Sequence, residues 1–571
     1  MPPARPPASV RRSEPRSLSD TRPRRLAAST RNEHLVPWEP GLPQITGREL
    51  LVAFGALLAI ATAIYLPHVF TGGFYTDDWF FLQQFHFIDQ SGGSITEMLD
   101  YAGNWPDAYR PLQTAMLVAQ YLVTGSSESA HLALAVPLAA IQSFLLYLVM
   151  RMLGLSWLVA GSAALLLDIG LFIDTTRIWA SPQTEMNACS LYLGGLACAL
   201  RGLRSGGRAP QVAWHGAALA LYLGAAFTYE GMLVAIPLSF LAYLVAADRR
   251  SALRRLAADL PAFALATVII AREANQARTG DSSISHLWDR LRDVLPGAVE
   301  VFEASFPGHQ LLFGPAGIAI ALLVGLGVWS AIGKGGTLAR ASRQWSLIAA
   351  AALILALIGL APLLPGQTGL TPSNQGFANR LLITSAPFYA VLLVAVAFLG
   401  SIGIVSLVRR ARFAVPLAML LLAAIVVQSV GRERQRQDEM AAVWREEKRI
   451  LDRVEETVPD PAPGMELITF RHPVAMPGGF VSFGDWFDLD GALKLRYEDN
   501  SIKAHPYLVG GVCDDDAISF AGITFSPEQR LSYKRLFFVD TARRQLIRVA
   551  DRDQCRREVA RLTQPRPQTS P

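Results

Sequence analysis

The chain has 571 residues, of which 51% are hydrophobic and 17% are charged, and its mean hydropathy is +0.29. A soluble globular protein carries about 25% charged residues, so the composition excludes that class. The formal net charge is only +5, and the basic residues lie in short loops and in an N-terminal tail. We therefore expect no nucleic-acid partner.

The first segment, residues 1–48, is dominated by Pro, Arg and Ser and has no apolar period. This composition predicts a disordered, basic tail on the cytoplasmic side. The first apolar run begins only near Glu49, and no small-residue cleavage site follows it. We therefore expect this run to remain in the protein as a membrane span and not to act as a signal peptide.

Apolar runs long enough to cross a bilayer as helices, about 17–25 residues each, recur from residue 49 to residue 430. They predict an α-helical polytopic membrane protein with about eleven transmembrane helices, which together form one domain over 49–430. The expected spans are 49–70, 130–150, 156–173, 185–200, 213–229, 232–247, 257–272, 311–332, 345–363, 383–408 and 413–430.

The charges of the loops give an orientation, because short cytoplasmic loops are rich in Lys and Arg. With a cytoplasmic N-terminus, the loops predicted inside hold fourteen basic residues, about twice as many as the longer loops predicted outside. The fourteen are Arg151, Arg201, Arg204, Arg208, Arg249, Arg250, Arg254, Arg255, Lys334, Arg340, Arg343, Arg409, Arg410 and Arg412.

This orientation requires that the moderately apolar stretch 109–125 does not span the membrane. It is short for a crossing, and a span here would place every later basic loop outside. We expect an interfacial helix on the outer surface, within an outer loop over 71–129.

Residues 431–571 are then expected to form an extracytoplasmic domain. A charged helical stretch, 432–458, is followed by the strand-like runs MELITF and RLFFVD between turns rich in Pro, Gly and Asp. These patterns predict a small α+β domain over about 459–562. Its two cysteines, Cys513 and Cys555, could form a disulfide in an oxidising compartment or remain as two free thiols.

The strongest candidate for chemistry is the adjacent pair Asp77 and Asp78, which lies at a predicted membrane edge among aromatic residues. Two like charges in a partly apolar setting should raise the pKa of one carboxyl, which suits a general base. The other acidic residues of the outer loop are expected only to keep that loop solvated. No His/Cys cluster has the spacing of metal ligands, so the sequence leaves room only for a weakly held Mg²⁺ or Mn²⁺.

Three further outer loops supply Glu185, Glu230 and Arg380. Glu230 lies between two apolar runs with almost no loop around it, and an ionisable residue at such a place is a functional candidate. Arg380 is suited to binding a phosphate, although it could equally be a helix-end anchor that extends to the interface. An acidic pair and an Arg on one face fit a site that binds a phosphate-bearing lipid and deprotonates a hydroxyl or amine.

These motifs resemble those of the GT-C superfamily of polyprenyl-phosphate-dependent glycosyltransferases, which includes protein O-mannosyltransferases and lipid A aminoarabinose transferases. The similarity covers about 49–410, and Tyr229 stands where the family usually has Lys. The segments that carry it are Asp77-Asp78, Tyr109-Arg110-Pro111-Leu112, Trp179 with Glu185, Thr228-Tyr229-Glu230-Gly231 and Asn379-Arg380-Leu381-Leu382.

The resemblance implies a GT-C-like fold and the inverting transfer of a sugar from a polyprenyl-phosphate carrier. Asp77 would be the general base, and Asp78 would orient the acceptor or help to bind a divalent ion. Arg380, together with Arg110, would steady the departing phosphate, while Glu185 and Glu230 would complete the binding site. The implied partners are a polyprenyl-phosphate-linked sugar, membrane lipid and an extracytoplasmic acceptor.

No cofactor is expected to be obligatory. The implied location is the inner (plasma) membrane, with the C-terminal domain in the periplasm or its equivalent. The main alternative is a polytopic transporter or flippase of lipid-linked or small polar substrates. Against it, no repeat relates the two halves of the chain, and the candidate charges lie in loops and not at mid-span.

Overall fold

A computed structural model of the chain describes residues 35–38, 44–103, 110–170, 172–277, 284–306, 315–333, 336–364, 371–507, 510–520 and 529–564. All the structural statements below refer to these residues.

The membrane part is built entirely of helices, and each of the eleven predicted spans overlaps one of them. Helices α2–α4, α8 and α13 lie in the predicted outer loops, and α5 begins at the end of the first of these loops. The helices are α1 (Gly47–Val69), α2 (Asp77–Gln90), α3 (Ile95–Gly103), α4 (Pro111–Thr124), α5 (Glu128–Ala133), α6 (Ala135–Met152), α7 (Trp157–Ile169), α8 (Thr175–Ile178), α9 (Gln183–Leu203), α10 (Arg208–Thr228), α11 (Ala235–Ala246), α12 (Arg249–Ala277), α13 (Ile284–Glu303), α14 (Pro315–Gly333), α15 (Gly336–Ile358), α16 (Ala386–Leu407) and α17 (Ala414–Thr457).

Within the described residues, five helical segments are long and apolar enough to cross a bilayer, so the protein is a multi-pass membrane protein. Three shorter apolar helices accompany them. The number of spans, eleven, stays a prediction. The five long segments are Gly47–Val69, Glu128–Met152, Gly336–Leu363, Ala386–Leu407 and Ala411–Thr457.

The predicted interfacial segment forms helix α4, which has 14 residues. Pro111 occupies its first turn, where the missing N–H costs nothing. One side of the helix packs inward through Leu117 and Tyr121, while Leu122 and Val123 remain exposed. Its position at the membrane surface stays a prediction.

The prediction of a disordered tail through residue 48 needs correction at its C-terminal end. Leu35 is buried, and its carbonyl accepts a hydrogen bond of 2.9 Å from the indole N–H of Trp345. The carbonyl of Pro37 accepts one from the backbone N–H of Ser156. The segment LVPW is apolar, so packing against the helices removes its side chains from water and stabilises it, although its neighbours in the sequence are polar. Most of the predicted tail, 1–34 and 39–43, lies outside the described residues.

Helix α17 joins two elements that the sequence predicted separately, the last span (413–430) and the charged helical stretch (432–458). It runs unbroken through 44 residues, a length of about 66 Å, roughly twice the hydrocarbon thickness of a bilayer. Gly431 is the only residue of weak helix propensity at the expected boundary, and the charged residues after it are good helix formers. The last span and the charged stretch are therefore one rigid element.

Beyond α17, the chain forms the small α+β domain that the sequence predicts. A four-stranded sheet has the order β2-β1-β6-β7, in which β1 is parallel to both β2 and β6, and a three-stranded antiparallel sheet has the order β3-β4-β5. The elements are β1 (Glu466–Phe470), α18 (Trp486–Tyr497), β2 (Lys503–Pro506), β3 (Val512–Cys513), β4 (Ala517–Phe520), β5 (Gln529–Ser532), β6 (Leu536–Asp540), β7 (Gln545–Arg548) and α19 (Arg552–Thr563).

Both strand-like runs named from the sequence, MELITF and RLFFVD, supply central strands, β1 and β6. All five residues of β1 are buried, as expected for a strand covered on both faces. Helix α18 connects β1 to β2 and begins with a capping box between Asp485 and Asp488. It packs against α2, and a Cβ on Gly491 would lie 2.6 Å from the carbonyl oxygen of Trp79. The domain is therefore in close contact with the loop that holds the acidic pair.

A disulfide joins Cys513 on β3 to Cys555 on α19, across 42 residues of chain. Replacement of both cysteines by serine should destabilise the domain by up to about 4 kcal/mol, because the unfolded chain then regains the entropy of the open loop. Thermal unfolding without reductant should show a lower midpoint for the double variant, while Cys189→Ser should leave the midpoint of this domain unchanged. Equal midpoints with and without the bridge would contradict the expectation.

Candidate active site

The acidic pair lies at the first turn of α2. Asp78 is buried, and its carboxylate accepts hydrogen bonds from the backbone N–H groups of Tyr75 (3.1 Å) and Ser181 (2.7 Å). The hydroxyl of Ser181 also donates to it. Asp78 therefore fastens the start of α2 to the loop after Trp179, whose indole N–H donates to the Tyr75 carbonyl at 3.1 Å. We call the segment Gly73–Trp79 the acid turn.

The two carboxyls of the pair are in different environments. Burial raises the pKa of Asp78 to about 7, and the charge of Asp77 raises it further, whereas the hydrogen bonds from Ser181 and Tyr75 oppose the shift. The expected raised pKa is therefore present, but burial is its largest cause and the like charge is a smaller one. Asp77 is only half-buried.

The raised pKa of Asp78 has a consequence for stability. The folded protein keeps this proton up to about pH 7, whereas the unfolded chain loses it near pH 4, so unfolding becomes more favourable as pH rises between these values. The effect of this group amounts to at most about 4 kcal/mol. In Asp78→Asn, the fall in thermal midpoint between pH 5 and pH 8 should be smaller than in the wild type. An unchanged pH dependence would contradict the assignment.

Asp77 lies near other acidic groups of the site. Its charge acts on the carboxyls of Asp78, Glu185 and Asp485. Asp485 is the first residue of the capping box of α18, and burial raises its pKa to about 6, with the charge of Asp77 adding to the shift. The C-terminal domain thus places a carboxyl beside the acidic pair.

A bidentate ion pair connects two of the other candidate loops. The guanidinium of Arg110 donates to both oxygens of Glu230, at 2.6 and 2.8 Å, and lies over the ring of Tyr229 at 5.1 Å. Both charged side chains are partly exposed. Tyr229, which stands where the resembling family usually has Lys, therefore supports the Arg110 guanidinium through its ring.

Arg380 is held more loosely. One guanidinium nitrogen lies 3.4 Å from Oε1 of Glu185, and the group stacks over the indole of Trp179 at 4.7 Å. The side chain of Arg380 is 27% exposed, whereas that of Glu185 is 5% exposed. Because a guanidinium has five N–H donors, Arg380 can bind an anion without giving up its place beside Glu185.

The backbone that carries Arg380 is fixed by a buried polar cluster. Arg380 is in a short 3-10 helix, Ala378–Leu382, and its neighbour Asn379 is fully buried. Asn379 accepts a hydrogen bond of 2.5 Å from Thr175 and donates one to Asp174. The cluster ties this helix to α8 and so keeps Arg380 in place.

Glu185 lies 3.4 Å from Arg380 and within range of the charges of three other candidate side chains. The charges of Arg380, Arg110, Glu230 and Asp77 all act on its carboxyl, and Asp78 is bonded to Ser181, four residues before Glu185. The charged side chains of four loops that are far apart in the sequence therefore lie within electrostatic range of one carboxyl. Their roles stay predictions.

Sequence analysis missed several residues of the cluster. Ser181, Asp485 and Glu447 carry no motif, because each belongs to the site only through a partner more than a hundred residues away. Arg436 on α17 was missed for the same reason; its guanidinium lies 3.5 Å from the carboxylate of Asp174. Among the residues that surround the candidates, only the aromatic residues next to the acidic pair could be recognised from the local sequence.

No group of three or more His, Cys, Asp or Glu side chains among the described residues could hold a metal ion. Asp78, the one ligand considered from the sequence, already accepts three hydrogen bonds from Tyr75 and Ser181. Binding to a cation would have to displace or share these bonds. The described side chains therefore give no support to the idea of a cation held by Asp78.

Comparison with known proteins gives matches only among solved structures; no family model and no curated sequence matches the chain. One match is ArnT from Cupriavidus metallidurans bound to undecaprenyl phosphate, with 14% identity, 78% of this chain and 84% of that chain covered, and a TM-score of 0.38. The same protein in the apo state matches with 14% identity, coverage of 77% and 84%, and a TM-score of 0.36.

Another match is the Archaeoglobus fulgidus oligosaccharyltransferase in complex with Zn and sulfate, with 15% identity, 80% of this chain and 62% of that chain covered, and a TM-score of 0.41. ArnT and this oligosaccharyltransferase both belong to the GT-C superfamily, the class that the sequence motifs resemble. At these TM-scores the likeness carries no argument about mechanism, and the function has to be argued from the site itself.

Proposed function

We propose that the protein is a membrane glycosyltransferase that moves a sugar from a polyprenyl-phosphate carrier to an extracytoplasmic acceptor, with inversion at the anomeric carbon. The acceptor would be a protein, lipid A or a cell-surface glycan. The observation that carries the proposal is that Glu185 lies 3.4 Å from Arg380 and also within range of the charge of Asp77. A group able to take a proton and a group able to bind a phosphate are both needed for this transfer.

Asp77 is the proposed general base. It is half-buried, whereas its neighbour Asp78 is buried, so an acceptor can reach Asp77 more easily. The acceptor oxygen or nitrogen would form a bond to the anomeric carbon as the bond from that carbon to the phosphate oxygen breaks. The acceptor's proton would pass to Asp77, and the carrier would leave as polyprenyl phosphate.

Arg380 is the proposed phosphate-binding group. Its partly exposed guanidinium, held by Glu185 and Trp179, would stabilise the charge that develops on the departing phosphate. Arg110 would assist from the other side, held in orientation by Glu230. Asp78 is assigned a positioning role, because its oxygens already bind the protein's own backbone.

The proposed orientation places this cluster on the outer side of the membrane. The distribution of basic residues in the loops supports it, and so does the disulfide in the domain beside the site, because disulfides persist in oxidising compartments. The polyprenyl chain would lie along the apolar surface between the helices.

The test compares lipid extracts of the native organism with and without the gene. We expect the deletion strain to accumulate a polyprenyl-phosphate-linked sugar and to lose one glycan modification, and the restored gene to reverse both changes. The purified protein in lipid should release polyprenyl phosphate from the accumulated lipid once extracts that contain the acceptor are added. A transporter or flippase would leave the sugar–phosphate bond intact, and that result would overturn the proposal.

A further inference from the structure

Helix α17 continues past the membrane and lies against the acid turn. Three of its residues, Met440, Trp444 and Glu447, recur at intervals of four and three, so they share one face of the helix. The hydroxyl of Tyr75 donates to the Met440 carbonyl at 3.1 Å. The indole N–H of Trp79 donates to Oε2 of Glu447 at 3.2 Å.

The packing on this face is tight as well as polar. The rings of Trp79 and Trp444 lie 5.7 Å apart. A Cβ on Gly73 would lie 2.1 Å from the indole of Trp444, so only glycine fits there without a shift. The acid turn is therefore in direct contact with α17 at its beginning, at Tyr75 and at its end.

The backbone of the acid turn has a conformation that needs external support. Thr76, immediately before Asp77, has φ +40° and ψ −110°, a region that a β-branched residue rarely adopts. Its hydroxyl is buried without a hydrogen-bond partner. Such a conformation persists only where the surrounding structure holds it, and the bonds Asp78–Ser181 and Trp79–Glu447 hold it on its C-terminal side.

Glu447 is itself unusual for a packing residue. It is completely buried, and its second oxygen, Oε1, has no hydrogen-bond partner. Burial of a carboxyl group without full hydrogen bonding lowers the stability of the fold, and an apolar side chain of similar size would be more stable if packing were the only role of this residue. What the carboxyl adds is an acceptor for the indole N–H of Trp79 and for the backbone N–H of Phe483.

We infer that Glu447 is a positioning residue that holds the acid turn, and with it Asp77, through the indole of Trp79, so that the extension of α17 is a working part of the site. The significance of this inference for catalysis rests on the proposed function. The claim that Glu447 holds the acid turn in place does not depend on the proposed function, because it concerns only the packing of that turn. No substrate contact is assigned to Glu447.

The test uses the full-length protein with Asp77→Cys as a reporter and follows its rate of modification by a maleimide. Native thiols are accounted for by subtracting the rate of the protein without the reporter. Glu447→Leu should raise the rate about fivefold, the loosening expected when one buried hydrogen bond is lost. Glu447→Gln keeps an oxygen acceptor and should stay close to the reporter protein's own rate.

A matched control is Glu455→Gln, which removes a carboxylate from the same helix where it pairs with Arg496 at the surface; it should leave the rate unchanged. If Glu447→Leu does not fold, Trp79→Phe removes the other partner of the same bond while it keeps a ring, and it should raise the rate similarly. Equal rates in the reporter protein and in the folded variants would overturn the inference.

Activity separates the two proposals. In strains with Asp77 intact, Glu447→Leu should increase the pool of polyprenyl-phosphate-linked sugar and Glu447→Gln should not. If Glu447→Leu raises the labelling rate but no polyprenyl-phosphate-linked sugar accumulates even in the deletion strain, the positioning role stands and the proposed function fails. If the lipid accumulates on deletion but neither Glu447→Leu nor Trp79→Phe alters labelling, the positioning role fails alone.

Discussion

Asp77→Asn is expected to reduce the rate of sugar transfer by about 10²–10⁴-fold, the usual contribution of a general base. The amide cannot take the acceptor's proton, but it is nearly the same size, and Asp77 is only half-buried. The thermal midpoint should therefore change little. Transfer is measured as polyprenyl phosphate released by the purified protein, and in cells as accumulation of the lipid-linked sugar.

The control for this variant is Asp100→Asn, which removes an exposed carboxyl from α3 in the same outer loop. Asp100 is expected only to keep the loop solvated, so its replacement should leave transfer within about twofold of the wild type. Full activity in a correctly folded Asp77→Asn protein would show that another group takes the proton.

Arg380→Gln is expected to weaken binding of polyprenyl phosphate by about 10- to 100-fold, which corresponds to the loss of one or two charge-assisted hydrogen bonds. The measurement is the shift in thermal midpoint that added polyprenyl phosphate produces in the purified protein. The wild type should be stabilised by the lipid, and the variant should need a correspondingly higher concentration for the same shift.

This variant also leaves Glu185 buried without its partner, which by itself lowers stability. The double variant Arg380→Gln/Glu185→Gln removes both charges, so it should regain stability but not lipid binding. Arg434→Gln, at an exposed position on α17, should leave binding unchanged. Normal lipid binding by the double variant would mean that Arg380 is a helix-end anchor and not a phosphate ligand.

The helices and the central strands could be predicted from local sequence. A bilayer admits few structures other than helices, so long apolar runs such as Ala386–Leu407 leave little choice. The two apolar runs MELITF and RLFFVD likewise formed buried strands. The local pattern failed at Leu35–Trp38, where a short apolar segment within a polar tail packs on the helices. It also did not reveal that the last span and the charged stretch after Gly431 form one continuous helix.

Sequence by itself determined which residues are candidates for the site, because charged side chains beside apolar spans are rare and costly. Only the tertiary structure decided which of them are partners. Arg110 and Glu230 are 120 residues apart and Arg380 and Glu185 are 195 apart, and such pairs form only when helices from distant parts of the chain pack together. The same packing brings Asp78 into hydrogen-bond contact with Ser181, and Trp79 with Glu447. It thus distinguished, within one adjacent pair of carboxyls, the buried Asp78 from the half-buried Asp77.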